Sequence, residues 1–483
     1  MVHISAPTDK ITNICCIGAG YVGGPTCAVI AAKCPEIRVT VVDSDPDRIS
    51  AWNSDTLPVY EPGLDALVKL QRNVNLTFST DIDSAIDKAQ LIFIAVNTPP
   101  LHDKKAQSLG TEPDCSAVSD CARRIAQVSL TDKIVVAKST VPCGTCSVIA
   151  QTLSDNARPG VKFSVLSNPE FLSEGTAVKD LLYPDRILIG GDTVAQNKLK
   201  AVYMHWVPEK NILTMDMWSS ELSKLASNAM LAQRVSSINS ISAICEALGS
   251  NCNAAVGVDI SEVAAGCGSD SRIGSHFLRP SLGFGGSCFH KDIACLIWLC
   301  ESLGLPEVAE YWHQVLAINR FQIKRFVARI LANTVQKNSS SGLYGMRVAC
   351  LGFAFKEGTG DTRNTPAAEV CRELLRNGAK LSVYDPKVSR FDILDKLSVA
   401  ADSGCNADSV TVCPDAYSAV SGSDIVVVLT AWSEFRQINW ELAFKLMNKP
   451  AYVFDGQIVL EHDKLNQLGF RVFSIGSTHV TMQ

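Results

Sequence analysis

The stretch Ile11-Thr12-Asn13-Ile14-Cys15-Cys16-Ile17-Gly18-Ala19-Gly20-Tyr21-Val22-Gly23 decides the fold. Ile11 to Ile17 is an apolar run of strand length, and the glycines after it fall at G-x-G-x-x-G spacing where a helix opens, running to about Lys33. Such glycines allow a tight turn, close approach of the backbone to a pyrophosphate, and tight helix–strand packing. Arg38 to Asp43 reads as the next strand and completes a βαβ unit. Asp43 at its end is placed to bind a ribose 2′-hydroxyl and to repel a 2′-phosphate, so NAD is favoured over NADP. A glycine turn serving packing alone is the competing reading; strand, helix and acid together disfavour it.

Outward from this unit, Leu91–Val96, Lys133–Ala137, Phe163–Leu166 and Arg186–Ile189 are further strand-like runs, separated by helix-like segments such as Ser116–Gln127. Their alternation predicts a parallel, doubly wound sheet with its ligand at the carboxyl ends of the strands. Val96-Asn97-Thr98-Pro99 and Ser139-Thr140-Val141-Pro142 fall at that edge, where short polar side chains reach ribose or phosphates; plain strand-end turns are the alternative. Past Trp218, Ser219–Leu248 and Ala309–Val335 read as long helices, and Asn338–Gly342 as a polar linker. A second α/β pattern follows: strands at Arg347–Gly352, Leu381–Tyr384, Asp424–Leu429 and Ala451–Phe454, and a helix at Pro366–Arg376. Leu397–Cys413 is expected to be a surface excursion. The fold class is α/β: two Rossmann-like doubly wound parallel-sheet domains (1–218 and 338–483) joined by a central helical region (219–337).

With 483 residues, 47% hydrophobic and 19% charged, the chain reads as a globular protein with a large core. A net charge of −5 without a basic, aromatic-interleaved cluster argues against nucleic acid as a partner. No apolar run approaches the ~18 residues that span a bilayer, and Met1–Lys10 lacks the blocks of a secretory signal, so a cytoplasmic location is expected. The 18 cysteines are scattered through apolar segments (Cys15, Cys16, Cys27, Cys245, Cys300, Cys350), where reduced cysteine serves as a small hydrophobe. Cys143-Gly144-Thr145-Cys146 has metal or redox spacing but no partner pair, and no metal is expected.

A second stretch carries chemistry: Gly283-Phe284-Gly285-Gly286-Ser287-Cys288-Phe289-His290-Lys291-Asp292. It places a thiol at the end of a glycine-rich turn, where the orphan N–H groups of a starting helix and the cation of Lys291 favour thiolate. One more buried cysteine is the alternative. In Glu221–Ala229, Lys224 and Asn228 lie one helical turn apart and form a donor pair suited to an oxyanion; a solvated lysine is the bland reading. Ser167–Gly175 carries Glu170 and Glu174, of which a partly buried one is a candidate base for water, and two exposed loop glutamates are the alternative. A hydride-accepting cofactor joined to a thiol that traps an aldehyde is machinery for oxidising an alcohol beyond the aldehyde stage.

With Gly18–Gly23, Ser167-Asn168-Pro169-Glu170-Phe171-Leu172, Gly283–Cys288 and Gly352-Phe353-Ala354-Phe355-Lys356 in this order, the chain resembles eukaryotic members of the UDP-glucose/GDP-mannose dehydrogenase family from about residue 11 to 476. The resemblance implies an NAD-binding domain, a helical dimerisation region and a UDP-binding domain. It implies conversion of UDP-glucose, two NAD⁺ and water to UDP-glucuronate and two NADH. On it, Asp292 and Lys224 form the base assembly, Lys224 and Asn228 hold the oxyanion, and Cys288 passes through a thiohemiacetal to a thioester. Asp292, Glu170 or Glu174 then activates water ordered by Thr140; the division of base roles stays open.

The resemblance further implies cofactor contacts from Gly18, Gly20, Tyr21, Val22, Gly23, Asp43, Arg48, Val96, Asn97, Thr98, Ser139, Thr140, Glu174, Lys291 and Arg363. Substrate contacts are implied for Glu170, Phe171, Leu172, Lys224, Asn228, Arg272, Phe277, Leu278, Arg279, Ser281, Phe284, Gly285, Cys288, Phe355 and Lys356. Arg272 matches an arginine that reaches the neighbouring subunit's site, so a homodimer or higher homo-oligomer with a shared active site is expected, with no membrane partner. The rivals are a dehydrogenase of another nucleotide sugar (GDP-mannose or a UDP-N-acetylhexosamine) and a weakened nucleotide-sugar-binding sensor. Trp218-Ser219-Ser220-Glu221 disfavours the first. Three departures stand out: Gln457 where the family has arginine after Phe-Asp-Gly, the segment Pro100–Cys115, and a chain that stops soon after Gly476.

Overall fold

In the computed structural model the opening run forms β1 (Asn13–Ile17), four of whose five residues are buried. Residues 10–101, 110–251, 257–334, 342–398 and 409–477 are described below. The chain divides into two compact units: Met1–Ser227 with Glu301–Leu303, and Asn228–Cys300 with Gly304–Gln483.

The first unit carries eight strands: β1, β2 (Arg38–Val42), β3 (Leu76–Ser79), β4 (Leu91–Ile94), β5 (Lys133–Ala137), β6 (Phe163–Ser167), β7 (Ile187–Gly191) and β8 (Ile212–Met215). Their spatial order is β3-β2-β1-β4-β5-β6-β7-β8. Every residue of β4 and β5 is buried, as continuous apolar strands covered on both faces require. Strand order reverses between β1 and β4, which puts a ligand crevice at their carboxyl ends. One pair departs from the expected parallel sheet: β6 and β7 run antiparallel, with Leu166 opposite Gly191. Strands β3 and β8 have four residues each, too few for apolar periodicity to mark them. Trp52 is fully buried, stacks on Phe78 at 4.8 Å and donates Nε1–H to the Ala19 carbonyl at 2.9 Å.

The helix Met217–Asn251 runs for 35 residues, and the division between units falls within it. Its mid-helix serines do not break it, because Ser223 and Ser227 donate to the carbonyls four residues back, each at 2.7 Å. The second unit adds helices Ile260–Gly268, Phe289–Ser302 and Pro306–Thr334. Its sheet contains β9 (Arg347–Leu351), β10 (Lys380–Tyr384), β11 (Val410–Val412), β12 (Ile425–Val428), β13 (Tyr452–Asp455) and β14 (Arg471–Ser474). The order β11-β10-β9-β12-β13-β14 is parallel throughout and again reverses beside its first strand. The expected excursion at Leu397–Cys413 contains β11; residues 399–408 and most of the 338–342 linker lie outside the described residues. So do residues 102–109 of the divergent loop; on either side of them, the Leu101 N–H donates to the Glu112 carbonyl at 2.8 Å.

Candidate active site

In the turn after β1, a Cβ on Gly18 (φ +109°) would lie 2.5 Å from the Ala95 carbonyl oxygen, and one on Gly23 would lie 2.0 Å from that of Gly18. At Gly20 a Cβ would meet nothing within 4 Å. The first and third glycines answer to the chain's own packing. The second borders open space, as backbone that a pyrophosphate approaches must. Tyr21 is exposed beside it, and Val22 caps the helix Gly23–Lys33.

Asp43 follows β2 and accepts from the Ala19 N–H (2.8 Å), the Asp45 N–H (3.0 Å) and Arg48 Nη1 (3.1 Å). Burial pushes its pKa up, but these donors outweigh burial and hold the carboxyl below its usual range. The carboxylate is therefore ionised at neutral pH beside the crevice, and the residues of this turn fit NAD.

The loops after β4 and β5 are not independent strand-end turns. Ser139 Oγ donates to the Val96 carbonyl at 2.6 Å, and Thr98 Oγ1 donates to the Thr140 carbonyl at 2.7 Å. Asn97 and Thr140 thus stand on one cross-linked edge. Glu221, buried on the long helix, accepts the N–H groups of Gly144 and Cys146, each at 2.7 Å, and so caps the helix Thr145–Asn156. Burial, then the Glu221 charge, raises the pKa of both Cys143 and Cys146, the reverse of what a redox pair needs.

Lys224 and Glu170, each readable as a solvated residue, are both buried: Lys224 Nζ lies 3.1 Å from Glu170 Oε1. Glu170 Oε2 accepts the Leu172 N–H at 2.6 Å. Burial raises the Glu170 pKa, but the Lys224 ammonium, the Leu172 N–H and the Lys138 charge outweigh it, and the pKa falls below the usual value. Phe171 takes Lys224 at 5.1 Å and the Arg186 guanidinium at 4.0 Å from its ring centroid. Glu174 is half-buried in the next turn, where Glu61, missed from sequence, accepts the N–H groups of Gly175 (2.7 Å) and Ala177 (3.0 Å).

In the second unit Cys288 is half-buried and directly precedes the helix Phe289–Ser302. Its carbonyl accepts the Asp292 N–H at 2.9 Å, which makes Cys288 the cap of that helix. Ser287 Oγ lies 3.5 Å from its sulfur. Asp292 is 1% exposed and accepts from Asn228 Nδ2 at 2.6 Å; Lys291 Nζ stands 2.9 Å from its other oxygen, an ion pair without hydrogen-bond alignment.

Three buried amides that sequence reasoning missed hold this loop. Asn319 accepts the Phe284 N–H (2.9 Å) and donates to the Phe284 carbonyl (3.0 Å), Asn239 accepts the Ser281 N–H (3.0 Å), and Gln322 donates to the Ser281 carbonyl (2.7 Å). A polar residue recurring on an apolar helix face was the available signal. A Cβ on Gly286 would sit 2.9 Å from the Phe355 ring, and one on Gly285 2.5 Å from the Asn364 carbonyl oxygen. Phe355 therefore packs on the cysteine loop, with Lys356 Nζ 5.5 Å from its ring centroid, and the Arg363 carbonyl accepts the Gly286 N–H at 2.8 Å.

Leu278 and Arg279 line an open hollow of about 270 Å³ that also takes in Ser275, Pro280 and Ile458. Phe277 is exposed at φ +61°, and Arg272 is exposed and paired with Asp270 at 2.6 Å. The Arg363 guanidinium pairs with Asp361 at 2.7 Å. Gln457 donates its amide to the Leu429 carbonyl at 2.6 Å and so ties down the end of β12.

Three family profiles match the chain: "UDP-glucose/GDP-mannose dehydrogenase family, NAD binding domain" over residues 12–207, the family's central domain over 218–321, and its UDP binding domain over 349–462. A UDP-glucose 6-dehydrogenase from Drosophila melanogaster is 51% identical over 475 residues, covering 97% of each chain. UDP-glucose 6-dehydrogenase 2 of Arabidopsis thaliana is 49% identical over 482 residues, covering 96% of this chain and 97% of the relative. Among solved structures, a UDP-glucose dehydrogenase from the archaeon Pyrobaculum islandicum superposes with a TM-score of 0.80 at 31% identity, over 96% of this chain and 99% of the other.

Proposed function

The chain belongs to the UDP-glucose/GDP-mannose dehydrogenase family, and from that membership we propose that it oxidises UDP-glucose at C6 to UDP-glucuronate, using two NAD⁺ and a covalent sulfur intermediate. It is an NAD-dependent oxidoreductase. The observation that carries the covalent step is Cys288, half-buried at the cap of a helix in a loop whose backbone is held by Asn239, Asn319 and Gln322.

NAD⁺, when bound, supplies the hydride acceptor for each of the two oxidations. In the first, the C6 carbon gives up hydride while its hydroxyl proton passes to Asp292 or Lys224, and Lys224 and Asn228 stabilise the developing oxyanion. The Cys288 thiolate adds to the aldehyde carbon and forms a thiohemiacetal, which retains the aldehyde on the protein. Removal of a second hydride from the same carbon, with the thiohemiacetal hydroxyl proton passing to the same base, leaves a thioester. Water, ordered by Thr140, then adds to the thioester carbon; carboxylate and the Cys288 thiol separate. Asp292, Glu170 and Glu174 are the groups proposed to take its proton.

The three-part division at residues 218 and 337 belongs to this proposal, as does a homo-oligomer. Support for the latter comes from the long helix, which exposes Met230, Ile241, Ile244 and Leu248, and from the exposed Arg272. A cytoplasmic site belongs to the proposal too, supported by the lack of any disulfide among the described cysteines. No helix among the described residues is long and apolar enough to cross a membrane.

The deciding experiment supplies limiting UDP-glucose and excess NAD⁺ and counts NADH. Two per sugar is the expected result. One would mean oxidation stops at the aldehyde, and none with sugar-nucleotide binding retained would make the protein a sensor.

A further inference from the structure

Lys138 is 3% exposed at the end of β5, and no carboxylate lies within ion-pair reach of it among the described residues. Its ammonium donates to Asn168 Oδ1 at 3.1 Å and to the Tyr203 hydroxyl at 3.4 Å. Tyr203, itself buried, donates to the same Asn168 oxygen at 2.7 Å, and Asn168 Nδ2 donates to the Leu188 carbonyl at 2.7 Å. Two residues beyond Asn168 stands Glu170, already paired with Lys224. Two buried ammoniums thus serve the turn Asn168-Pro169-Glu170, Lys224 by direct pairing with Glu170 and Lys138 through Asn168.

We propose that Lys138 is a positioning residue for the oxidation: through Asn168 it fixes the turn that carries Glu170, and with Lys224 it keeps that carboxylate ionised. The inference rests on the functional reading above. Burial pushes the Lys138 pKa down to about 8, with the Glu170 charge opposing and the Lys224 charge reinforcing the drop. The other titratable groups facing it are the thiols of Cys16 and Cys27 and the Tyr203 hydroxyl; a hydrogen bond with Cys16 and burial push the Cys27 thiol up, and burial pushes the Tyr203 hydroxyl up. A cation so depressed costs the fold stability at neutral pH, and Tyr203 alone would satisfy Asn168. Retaining the ammonium therefore points to function.

The test uses the full chain with UDP-glucose and NAD⁺, following NADH against pH and unfolding against temperature. Lys138→Met should lower kcat roughly tenfold at neutral pH while unfolding at the same or a higher temperature. Lys138→Arg should recover part of that activity and keep it at alkaline pH, where the wild type loses activity as Lys138 deprotonates. Tyr203→Phe, which removes a hydrogen bond but no charge, should lower the unfolding temperature and leave the pH profile in place. Should Lys138→Met fail to fold, the arginine variant's alkaline profile decides. Lys138→Met turning over within about twofold of wild type, or Lys138→Arg matching the wild-type alkaline profile, overturns the proposal. Wild type run alongside tests the reaction itself: no NADH there defeats the functional reading, whereas loss confined to the variants concerns Lys138 alone.

Discussion

The two sheets place the same device at their reversal points, and the two versions differ in one respect. After β1, Gly18 takes a positive φ and Asp43 from the neighbouring strand accepts the next N–H; after β9, Gly352 does so at φ +94° and Asp385 accepts the N–H groups of Phe353 and Ala354 at 2.7 and 2.9 Å. Asp385 also takes the N–H groups of Lys387 and Val388 and the Trp432 indole, which saturates it and closes the turn on itself. Asp43 meets fewer backbone donors and an arginine, and Gly20 beside it faces open space. One turn is left open for a ligand. The other holds its sheet together.

The difference can be broken in four ways. The largest effect belongs to Cys288→Ser: net NADH formation should fall at least ~1,000-fold with NAD⁺ affinity intact. Calorimetry showing cofactor binding lost with the thiol would deny that the open turn works by itself.

Next come the two positive-φ glycines. Gly18→Ala and Gly352→Ala should each cost about 3 kcal/mol by denaturant titration, since the added methyl would lie 2.5 Å from the Ala95 carbonyl oxygen in one case and from Thr430 in the other. Gly20→Ala should leave stability alone and weaken NAD⁺ about tenfold, because its methyl intrudes only on a ligand.

Third is a pH effect confined to the second unit. Burial, then the Arg320 charge, pushes the His290 pKa down to about 4. As pH falls below the ordinary imidazole value, the unfolded chain takes up a proton that the folded chain refuses, so stability drops. Between pH 6.5 and 5 the loss should be about 1.5 kcal/mol, and His290→Phe should flatten it. An unchanged slope in that variant would place the titrating group elsewhere.

The smallest effects come from the two carboxylates. Asp43→Asn should raise relative use of NADP⁺ roughly tenfold with little change in stability. Asp385→Asn should leave cofactor preference unchanged and cost about 1–2 kcal/mol, since an amide nitrogen would face buried donors. Equal behaviour of the two variants would erase the distinction.

The open turn was legible in sequence because its signals are local: a strand, three spaced glycines and an acid at the next strand's end. The cysteine loop was legible for the same reason. Lys138 was not, because a lysine closing the run Lys133–Ala137 looks like any polar strand end until Asn168, Tyr203 and Glu170 arrive around it from 30 or more positions away. Asn319 is silent in the same way, since the loop it holds lies 35 residues from it along the chain. The antiparallel β6–β7 pair left no trace either, because strand direction is not written in apolar periodicity.

By itself, the order of residues determined the strand–turn–helix units and the nicotinamide preference, and it singled out Cys288 as the candidate thiol, for these follow from spacing over a few neighbours. Only the tertiary structure decided which lysines and carboxylates are buried, and which turn stays open. Burial and charge pairing depend on distant segments packing together, and that packing sets whether a carboxylate is free for a ligand or taken up by its own backbone.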